Sequence, residues 1–382
     1  MRIVQVVHAY PPEIGGIENH VYYLSKELVK LGHEVVVITS NPGGFPKEQH
    51  EDGVVVKRIS PFKLPGFSSV RLSPTLILEI LGTNADVYCS HGYGSLHPLI
   101  TSIAATIKRK PFVFTVHGYP RLEGGERIFQ FLYKHLIARF FLPNAKQIIS
   151  VSKPTLEDIK NEIDPRKATV IPDGVDTDQF KRDGTEGKKV RKDLAASKVV
   201  SYVGRLDKYK GVTTLVKAFA KVNKEIPDSA LMLVGKDEGM KQTLKRLALE
   251  LGVSNRIHFK ESTYATMSDV YSASDLVVLP SYYEGLSIAL LEALSCETLF
   301  LATAVGGPKE ILKGAYGKQS KDFLAPSKDD DVLAKKIINI LENERKYSVL
   351  KKEGRRYVKK HYSWPRIASE TVQIYEMAIG RD

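Results

Sequence analysis

Two glutamates separated by seven residues, Glu284 and Glu292, mark the segment of this 382-residue chain with the clearest chemical potential. The segment 280–310 reads PSYYEGLSIALLEALSCETLFLATAVGGPKE, which predicts a strand end, a glycine-containing turn and a helix. Unpaired N–H groups and the dipole at a helix N-terminus attract a phosphate. Carboxylates repel a phosphate and instead accept hydrogen bonds from ribose or sugar hydroxyls. A site of this composition suits a sugar nucleotide.

Two cations follow another predicted strand, Val199–Val203, in the segment GRLDKYKG. Arg205 can bind diphosphate oxygens through paired hydrogen bonds, and Lys210 supplies a mobile positive charge. Two fixed cations can neutralise a leaving diphosphate without a metal ion. A plain surface position is the alternative for either residue alone, but the pair flanks both a strand end and a glycine.

Further candidates follow strands in the first half of the chain. Gly15 and Gly16, in HAYPPEIGGIENH, would let the backbone approach a ligand phosphate, or would form an ordinary flexible turn. Their spacing is not that of a dinucleotide-binding G-x-G-x-x-G motif. His117 follows strand Phe112–Val116 and could hydrogen-bond a sugar hydroxyl, although a lone histidine is more often structural. The same alternative applies to His91.

These residues need elements to position them, and the chain alternates apolar runs with amphipathic helical patterns. The predicted strands are Ile3–Val7, Val35–Thr39, Val54–Ile59, Val87–Ser90, Phe112–Val116, Gln147–Val151, Val199–Val203, Ala230–Val234, Ile257–Phe259, Leu276–Leu279, Thr298–Ala302 and Asp322–Leu324. Helical patterns fall between most of them. The alternation predicts an α/β protein with two doubly wound Rossmann-like domains. Such sheets bind ligands at the carboxyl ends of their strands, where the candidate residues fall.

The chain length favours two domains over one. We expect residues 1–172 to form the first domain, residues 173–196 to form a linker and exposed loop, and residues 197–360 to form the second domain. The helix expected at about 363–380 is followed by no strand and is predicted to pack back on the first domain. Two such domains would bind a ligand in a central cleft.

Composition is that of a soluble globular protein, with 43% hydrophobic and 26% charged residues. The sequence contains no apolar run of about 18 residues, and its N-terminus lacks the pattern of a signal peptide, so a cytoplasmic location is expected. Cys89 and Cys296 lie far apart and are predicted to be buried reduced thiols, not a disulfide or a metal site.

A net charge of +12 favours an acidic partner: nucleotide phosphates, anionic lipid or nucleic acid. No zinc-ligand spacing or aromatic RNA-binding motif supports nucleic acid. Residues 127–142, RIFQFLYKHLIARFFL, are apolar around most of a helix circumference, with Arg127, Lys134 and Arg139 dispersed among them. Such a helix either docks peripherally on an anionic membrane or is buried in an α/β domain, and the buried alternative is favoured.

Together and in this order, these motifs make the chain resemble the retaining glycosyltransferases of family 4, which have the GT-B fold. The resemblance covers nearly the whole chain and rests on Gly15-Gly16, His117, Arg205, Lys210, Glu284 and Glu292. The lead-in GGIENHVYYLSKELVKLGHEVVVIT and the junction VIPDGVDTDQF are also similar. The N-terminal third most resembles the branch that transfers N-acetylglucosamine to phosphatidylinositol, which does not fix a substrate.

The resemblance implies roles in binding the sugar donor. Arg205 and Lys210 would hold its diphosphate, and Glu292 would hold the ribose hydroxyls. Glu284 would hold hydroxyls of the transferred sugar. The backbone amides assigned to the same sugar are those of Gly285, Leu286 and Ser287. His117 would contact the donor sugar near its reacting end.

The resemblance also implies that Gly15 and Gly16 approach the phosphate or the acceptor. The chain departs from the family pattern at Asp173, where an asparagine is usual, and at Ser287, where a glycine is common. Neither departure removes a charged group from the expected site.

The implied activity is transfer of a hexose or N-acetylhexosamine from a UDP- or GDP-sugar to a hydroxyl of a glycolipid, polysaccharide or glycan. The anomeric configuration would be kept, and neither a cofactor nor a metal would be needed. Since no carboxylate nucleophile is evident, a front-face route is expected. The alternatives are a sugar-nucleotide 2-epimerase and a non-catalytic sugar-nucleotide-binding subunit.

Overall fold

The computed structural model describes residues 1–13, 15–41, 43–60, 62–63, 71–72, 75–118, 131–182, 184–261, 263 and 266–380. The chain divides into two compact units. Unit 1 comprises Met1–Gly174 together with Trp364–Asp382, and unit 2 comprises Val175–Ser363. Within the described ranges, no helix is both long and apolar enough to cross a bilayer.

Unit 1 is built on an eight-stranded sheet in the order β10-β9-β8-β7-β1-β2-β4-β3. Its strands are β1 (Arg2–Val7), β2 (Glu34–Ser40), β3 (Glu48–Glu51), β4 (Val54–Ile59), β7 (Val87–His91), β8 (Phe112–Val116), β9 (Gln147–Ser150) and β10 (Ala168–Val170). A separate pair joins β5 (Phe62–Lys63) and β6 (Arg71–Leu72). All neighbours in the large sheet run parallel except β3 and β4. The strand order reverses between β1 and β7, the position at which doubly wound sheets bind ligands.

Helices cover both faces of this sheet. They are α1 (Gly16–Lys30), α2 (Leu76–Gly82), α3 (His97–Ile107), α4 (Lys153–Ile159) and, from the end of the chain, α13 (Trp364–Ile379). The helical segment between β8 and β9 is a π-helical turn, Lys134–Ala138, continued by Arg139–Phe141. Alternation along β1 sends Ile3 toward α1 and α13, whereas Val4 belongs to the core on the opposite face. Because both faces are covered, the central strands are largely apolar, whereas the edge strand β3 is polar and partly exposed.

Unit 2 repeats this plan with a six-stranded parallel sheet in the order β13-β12-β11-β14-β15-β16. Its strands are β11 (Lys198–Val203), β12 (Ser229–Val234), β13 (Ile257–Lys260), β14 (Leu276–Leu279), β15 (Leu299–Thr303) and β16 (Leu324–Ala325). Its helices are α5 (Gly184–Lys192), α6 (Val212–Glu225), α7 (Lys241–Glu250), α8 (Met267–Ala273), α9 (Ile288–Ser295), α10 (Gly306–Tyr316), α11 (Asp330–Glu342) and α12 (Ser348–His361). The strand order reverses between β11 and β14. The predicted α/β class with two Rossmann-like sheets is confirmed.

The expectation of an exposed loop over 173–196 is wrong. Asp173 is buried, and Phe180 belongs to the core of unit 2. Residues Gly184–Lys192 form a helix instead of a loop. Lysine and glycine dominate this helix, and its one apolar residue, Val190, packs against the core, so composition alone pointed to a linker.

Candidate functional site

Arg205 lies just beyond β11, at the strand-order reversal of unit 2. Its side chain is 63% exposed, with Nη2 at 3.3 Å from Oδ2 of Asp207. The Tyr202 hydroxyl donates a hydrogen bond to the backbone carbonyl of Arg205 at 2.6 Å. Burial, reinforced by the carboxylates of Glu284 and Asp207, raises the pKa of Tyr202 well above its usual value and keeps the hydroxyl protonated. The backbone of Arg205 is therefore anchored while its charge faces solvent.

Lys210 ends a single 3₁₀ turn, Lys208–Lys210, between β11 and α6. Oδ1 of Asp207 accepts a hydrogen bond from the Lys210 backbone amide at 3.1 Å, so one carboxylate contacts the guanidinium of Arg205 and the backbone of Lys210. Gly211 follows with a φ of 65°, and a Cβ there would lie 2.1 Å from the carbonyl oxygen of Pro280. Glycine is therefore required for this turn to pack on the chain beyond β14.

The ammonium of Lys210 and the carboxylate of Glu284 form an ion pair. Nζ lies 2.7 Å from Oε2, and the side chains are 21% and 11% exposed. Ser281 Oγ donates a hydrogen bond to the same carboxylate oxygen at 3.1 Å. Residues 74 positions apart in sequence are thus brought together at the strand ends. This pair presents a cation for a phosphate and an acceptor for a hydroxyl.

The amides predicted to bind sugar lie in the turn that joins β14 to α9. Ser287 is the N-cap of α9, and its Oγ accepts a hydrogen bond from the Leu290 amide at 3.3 Å. This serine, which stands where the family commonly has glycine, stabilises the helix start. The amides of Gly285 and Leu286 lie just before the cap, at the end of the helix whose dipole favours electronegative groups.

Gly306 and Gly307, which were not among the residues predicted from the sequence, hold this turn in place. The Gly307 amide donates a hydrogen bond to the Gly285 carbonyl at 2.9 Å. Gly306 has a φ of +56°, and a Cβ there would lie 1.6 Å from the carbonyl oxygen of Glu284. The available signal was the pair Gly306-Gly307, which follows the predicted strand Thr298–Ala302 after three residues.

Glu292 lies within α9 and is buried, with 5% of its surface exposed. The Tyr271 hydroxyl donates a hydrogen bond to its Oε2 at 2.6 Å. Burial outweighs this hydrogen bond and raises the pKa of Glu292 to about 7. The carboxyl group is thus poised between its neutral and ionised forms near neutral pH.

In unit 1, Gly15 and Gly16 lie at the start of α1, with Gly15 as the N-cap in an extended conformation. A Cβ on Gly15 would collide with the carboxylate of Glu18 in the first helical turn. That carboxylate lies 3.4 Å from Nε2 of His8. A carboxylate at this helix end opposes a phosphate and favours a hydroxyl, so of the two partners predicted for Gly15 and Gly16 the acceptor fits better.

His117 is part of a histidine cluster that lies at the ends of β7 and β8. Its Nε2 is 3.2 Å from Nδ1 of His91, and its Nδ1 is 3.5 Å from Oδ1 of Asp173. His20 contributes from α1, with Nδ1 at 2.6 Å from the same Asp173 oxygen. Nε2 of His91 lies 2.6 Å from Oε1 of Gln5. His91 is fully buried with a partner at each ring nitrogen, and the side chain of His117 is 7% exposed.

The electrostatic interactions within this histidine cluster favour one buried anion, the Asp173 carboxylate, surrounded by imidazole rings. Although burial alone would raise the pKa of Asp173, hydrogen bonds from His117 and His20 hold it well below its usual range. Burial, and secondarily His117, lowers the pKa of both His20 and His91. Nitrogens of the three rings approach within 4.8 Å, a spacing that could hold a metal ion, but five of the six ring nitrogens already lie within 3.5 Å of a described polar partner.

Residues 131–142, the described part of the segment predicted to be a buried helix, expose an apolar face. Its exposed members are Phe131, Leu132, Leu136 and Phe140, which are 40–59% accessible. Ala138, Phe141 and Leu142 are buried beneath them. The buried interpretation is therefore wrong for half of this segment, because a uniformly apolar sequence does not reveal which face lacks a partner. Residues 127–130 lie outside the described residues.

The two cysteines behave as the sequence predicted. Cys89 lies in the core of unit 1, Cys296 lies in the core of unit 2, and both are free and fully buried. Burial raises the pKa of the Cys89 thiol to about 12 and raises that of Cys296 further. Both groups are therefore inert thiols.

Comparison with known proteins gives consistent results along the chain. The protein-family model described as Glycosyltransferase Family 4 matches residues 14–179, and the model described as Glycosyl transferases group 1 matches residues 186–357. The chain is 28% identical to an uncharacterized glycosyltransferase of Methanocaldococcus jannaschii over 99% of both chains. It is also 28% identical to the phosphatidylinositol N-acetylglucosaminyltransferase GPI3 subunit of Saccharomyces cerevisiae, over 98% of this chain and 82% of that protein.

The fold has close structural neighbours. A crystal structure of Anabaena HepE in complex with UDP and glucose superposes with a TM-score of 0.82 at 20% identity, over 99% of this chain and 100% of that one. At this identity the likeness concerns the fold, and it confirms the predicted GT-B architecture.

Proposed function

Since this chain belongs to the family 4 glycosyltransferases, we propose that it transfers a sugar from a UDP- or GDP-sugar to an acceptor hydroxyl with retention of the anomeric configuration. The transferred group is a hexose or an N-acetylhexosamine. The acceptor is a glycolipid, a polysaccharide or another glycan, and the reaction serves glycan biosynthesis. No cofactor or metal is required.

The observation that carries this proposal is the ion pair between Lys210 and Glu284 at the strand-order reversal of unit 2. The Lys210 ammonium has three N–H donors, so it can donate hydrogen bonds to Glu284 and to a phosphate oxygen at the same time. Arg205 lies beyond the adjacent strand with its guanidinium exposed, and it contacts the same Asp207 that caps the turn of Lys210. Arg205 and Lys210 would therefore bind the donor diphosphate from one rigid edge.

The sugar and ribose positions follow from the neighbouring carboxylates. Glu284, held by Lys210 and Ser281, would accept hydrogen bonds from hydroxyls of the transferred sugar. The supporting amides are those of Gly285, Leu286 and Ser287. Glu292, in its ionised form, would accept hydrogen bonds from the ribose hydroxyls. His117, oriented by His91 and Asp173, would contact the transferred sugar near its reacting carbon.

The chemistry is proposed to be a front-face displacement. The departing diphosphate takes the proton of the acceptor hydroxyl, while Arg205, Lys210 and the N-terminus of α9 stabilise its growing charge. Glu284 is committed to Lys210 and to sugar binding and does not attack the anomeric carbon. Removing one of the two cations is expected to reduce the rate by about 10²–10³, by analogy with loss of one oxyanion-hole donor. Trapping of a covalent glycosyl-enzyme would contradict this route.

Peripheral contact with the inner face of an anionic membrane is proposed for the exposed face of segment 131–142. Two basic residues lie among its apolar side chains: Lys134 is paired with Glu162 at 3.0 Å, and the Arg139 guanidinium lies over the Phe140 ring at 5.4 Å. Such a surface suits the boundary between headgroups and acyl chains. Apart from this membrane contact, the protein is proposed to be located in the cytoplasm.

A thermal-shift panel of UDP-, GDP- and ADP-sugars, followed by product analysis, tests the proposed activity. A donor at 100 times its dissociation constant should stabilise the protein by about 2.7 kcal/mol, which is enough to rank donors. The matching acceptor should then yield a glycoside of retained configuration. Consumption of donor into an epimeric sugar without acceptor would indicate a 2-epimerase, and binding without turnover across a broad acceptor screen would indicate a non-catalytic subunit.

A further inference from the structure

We propose that unit 1 contains a site for a divalent transition metal ion, with His20, His91 and His117 as its ligands. Three imidazoles are a ligand set that suits Zn²⁺. The site goes beyond the sugar transfer proposed above, for which no metal is needed, and it rests on the geometry of unit 1 alone. The ion would have a structural role, because it would join α1 to the carboxyl ends of β7 and β8.

The three rings converge from three elements on one buried point. His20 lies in α1, His91 is the last residue of β7, and His117 follows β8 directly. Their exposed fractions are 3%, 0% and, for the His117 side chain, 7%. One nitrogen from each ring lies within 4.8 Å of the other two, and the ring centres are 4.5–5.4 Å apart. Such a convergence is the first requirement of a metal site.

The rings also lie on one face of the sheet, the face that α1 and α13 cover. His91 follows Val87 and Cys89 at alternate positions of β7, and both of these residues belong to the core that contains residues of α1. His117 continues the same alternation from Val113 of β8, which belongs to this core as well. The sheet therefore does not separate any of the three rings from His20.

Each ring directs one nitrogen away from the point of convergence and toward an oxygen. Nδ1 of His20 donates a hydrogen bond to Oδ1 of Asp173 at 2.6 Å, and Nδ1 of His117 lies 3.5 Å from the same oxygen. Nε2 of His91 donates a hydrogen bond to Oε1 of Gln5 at 2.6 Å. Histidines that bind metals donate their second N–H to a carboxylate or a carbonyl oxygen in this way, which fixes the tautomer that ligates.

The nitrogens of His91 and His117 that face inward have no proton to share. Gln5 keeps its oxygen toward His91 because its Nε2 donates a hydrogen bond to the Tyr375 hydroxyl at 3.0 Å. A neutral imidazole has a single N–H, which each ring uses for its outer oxygen partner. Nδ1 of His91 and Nε2 of His117 therefore face each other with lone pairs at 3.2 Å, and a cation between them relieves the repulsion. Two nitrogens bound to one tetrahedral Zn²⁺ lie about 3.3 Å apart, so this separation already suits the ion.

His20 supplies the third ligand, and Asp173 supplies the compensating charge. Nε2 of His20 has no hydrogen-bond partner among the described residues, because the printed contact of this ring uses Nδ1. Asp173 is buried against two of the three rings. Its carboxylate offsets part of the charge of a buried cation, whereas the asparagine usual at this position in the family would supply an oxygen without a charge. The departure from asparagine is therefore the sequence feature that favours a metal here.

The test uses the full chain without an affinity tag, stripped of metal by a chelator and titrated with Co²⁺. Tetrahedral Co²⁺ absorbs visible light much more strongly than hydrated Co²⁺, so the spectrum reports the geometry of the bound ion. We expect one Co²⁺ per chain with a tetrahedral spectrum. Zn²⁺ should then displace it, because Zn²⁺ has no ligand-field preference against this geometry.

Three variants assign the binding to the cluster. His20→Gln removes one ligand and should abolish the tetrahedral spectrum. Asp173→Asn keeps all three ligands and should weaken Co²⁺ binding about 10- to 100-fold, because it removes the carboxylate behind two of them. His50→Gln, which removes an exposed histidine of the edge strand β3, is the control and should leave binding unchanged.

The outcomes that overturn the site are distinct from those that contradict the proposed function. Absence of a tetrahedral spectrum in the unmodified chain overturns it and indicates a proton shared between His91 and His117 instead. Equal Co²⁺ affinities of folded His20→Gln and His50→Gln also overturn it. If His20→Gln does not fold, Asp173→Asn decides, and an unchanged affinity overturns the site. A chain that binds donors but not Co²⁺ lacks the site and keeps the proposed function, and binding of Co²⁺ without any donor has the reverse meaning.

Discussion

Glu292 is a buried carboxyl group whose pKa, raised to about 7 by burial, makes folding stability depend on pH. Between its usual pKa of 4.5 and pH 7 the folded chain holds this proton and the unfolded chain does not. Its contribution to stability is therefore complete below pH 4.5 and is lost as pH rises through 7. The total loss is on the order of 3 kcal/mol.

Replacing Glu292 with Gln should remove this loss. Chemical denaturation measures the free energy of unfolding at pH 5 and at pH 8. Between these pH values it should fall by about 3 kcal/mol more in the unmodified chain than in Glu292→Gln. Glu310→Gln, at an exposed position of α10, serves as the control and should follow the unmodified chain. Identical pH profiles for the unmodified and Glu292→Gln proteins would show that the carboxyl group is ionised throughout. Donor affinity, if ribose binds the ionised form, should rise with pH in the unmodified chain only.

At this scale the sequence could predict charged residues that follow strand ends, since strand-turn-helix order determines the edge at which they emerge. Arg205, Lys210 and Glu284 are of this kind, and the last two are in direct contact. The pairing of His20 with Asp173 could not be predicted, because 153 residues separate them and a histidine on a helix face gives no sign of its partner.

At the scale of the elements, the turn before α9 depends on a glycine that follows β15 in the chain, Gly306. Gly306 and Gly317 both have positive φ values, of 56° and 53°, but only Gly306 abuts another backbone segment. Gly317→Ala should destabilise unit 2 by about 1–3 kcal/mol through backbone strain alone. Gly306→Ala should cause the same backbone strain and should also displace Glu284, so it should weaken donor binding as well. Unfolding and donor titrations measure the two effects, and unchanged donor affinity in folded Gly306→Ala would contradict the role assigned to this contact.

The exposed apolar face of segment 131–142 makes a second prediction about an element. A Leu136→Ser, Phe140→Ser double variant should bind vesicles containing anionic lipid roughly tenfold or more weakly, because about 25 cal/mol is lost per Å² of apolar surface. Leu78→Ser, which alters an exposed leucine of α2, is the control. Co-sedimentation at two salt concentrations provides the measurement. Equal binding of all three proteins would exclude this face as the membrane contact.

Element positions were predictable wherever periodicity was strong, as in the parallel strands of both sheets. Two helices escaped prediction for local reasons. Gly184–Lys192 is dominated by lysine and glycine, and Gly306–Tyr316 begins with two glycines and a proline. The first is stabilised by packing against α8 and the second by packing against β15, and this packing outweighs weak intrinsic helix propensity.

For the molecule as a whole, the sequence predicted two Rossmann-like sheets because each repeats the alternation of apolar strand and amphipathic helix. The return of the last helix to unit 1 depends on Trp364 and Tyr375, which pack in the core with β1 and α1. A bulky aromatic pair in a terminal helix favours such packing, but the sequence does not specify the surface that receives it.

Donor titration of Lys210→Met against Lys217→Met is the most direct test of the claim that unit 2 binds a nucleoside diphosphate sugar through Lys210. Lys217 is an exposed lysine of α6, so its variant matches the change in charge. Loss of a charge-assisted hydrogen bond, worth about 1.5–3 kcal/mol, should raise the dissociation constant of the best donor by roughly 10- to 100-fold in Lys210→Met. Lys217→Met should bind like the unmodified chain. Equal dissociation constants for the two folded variants would contradict the assignment of the site.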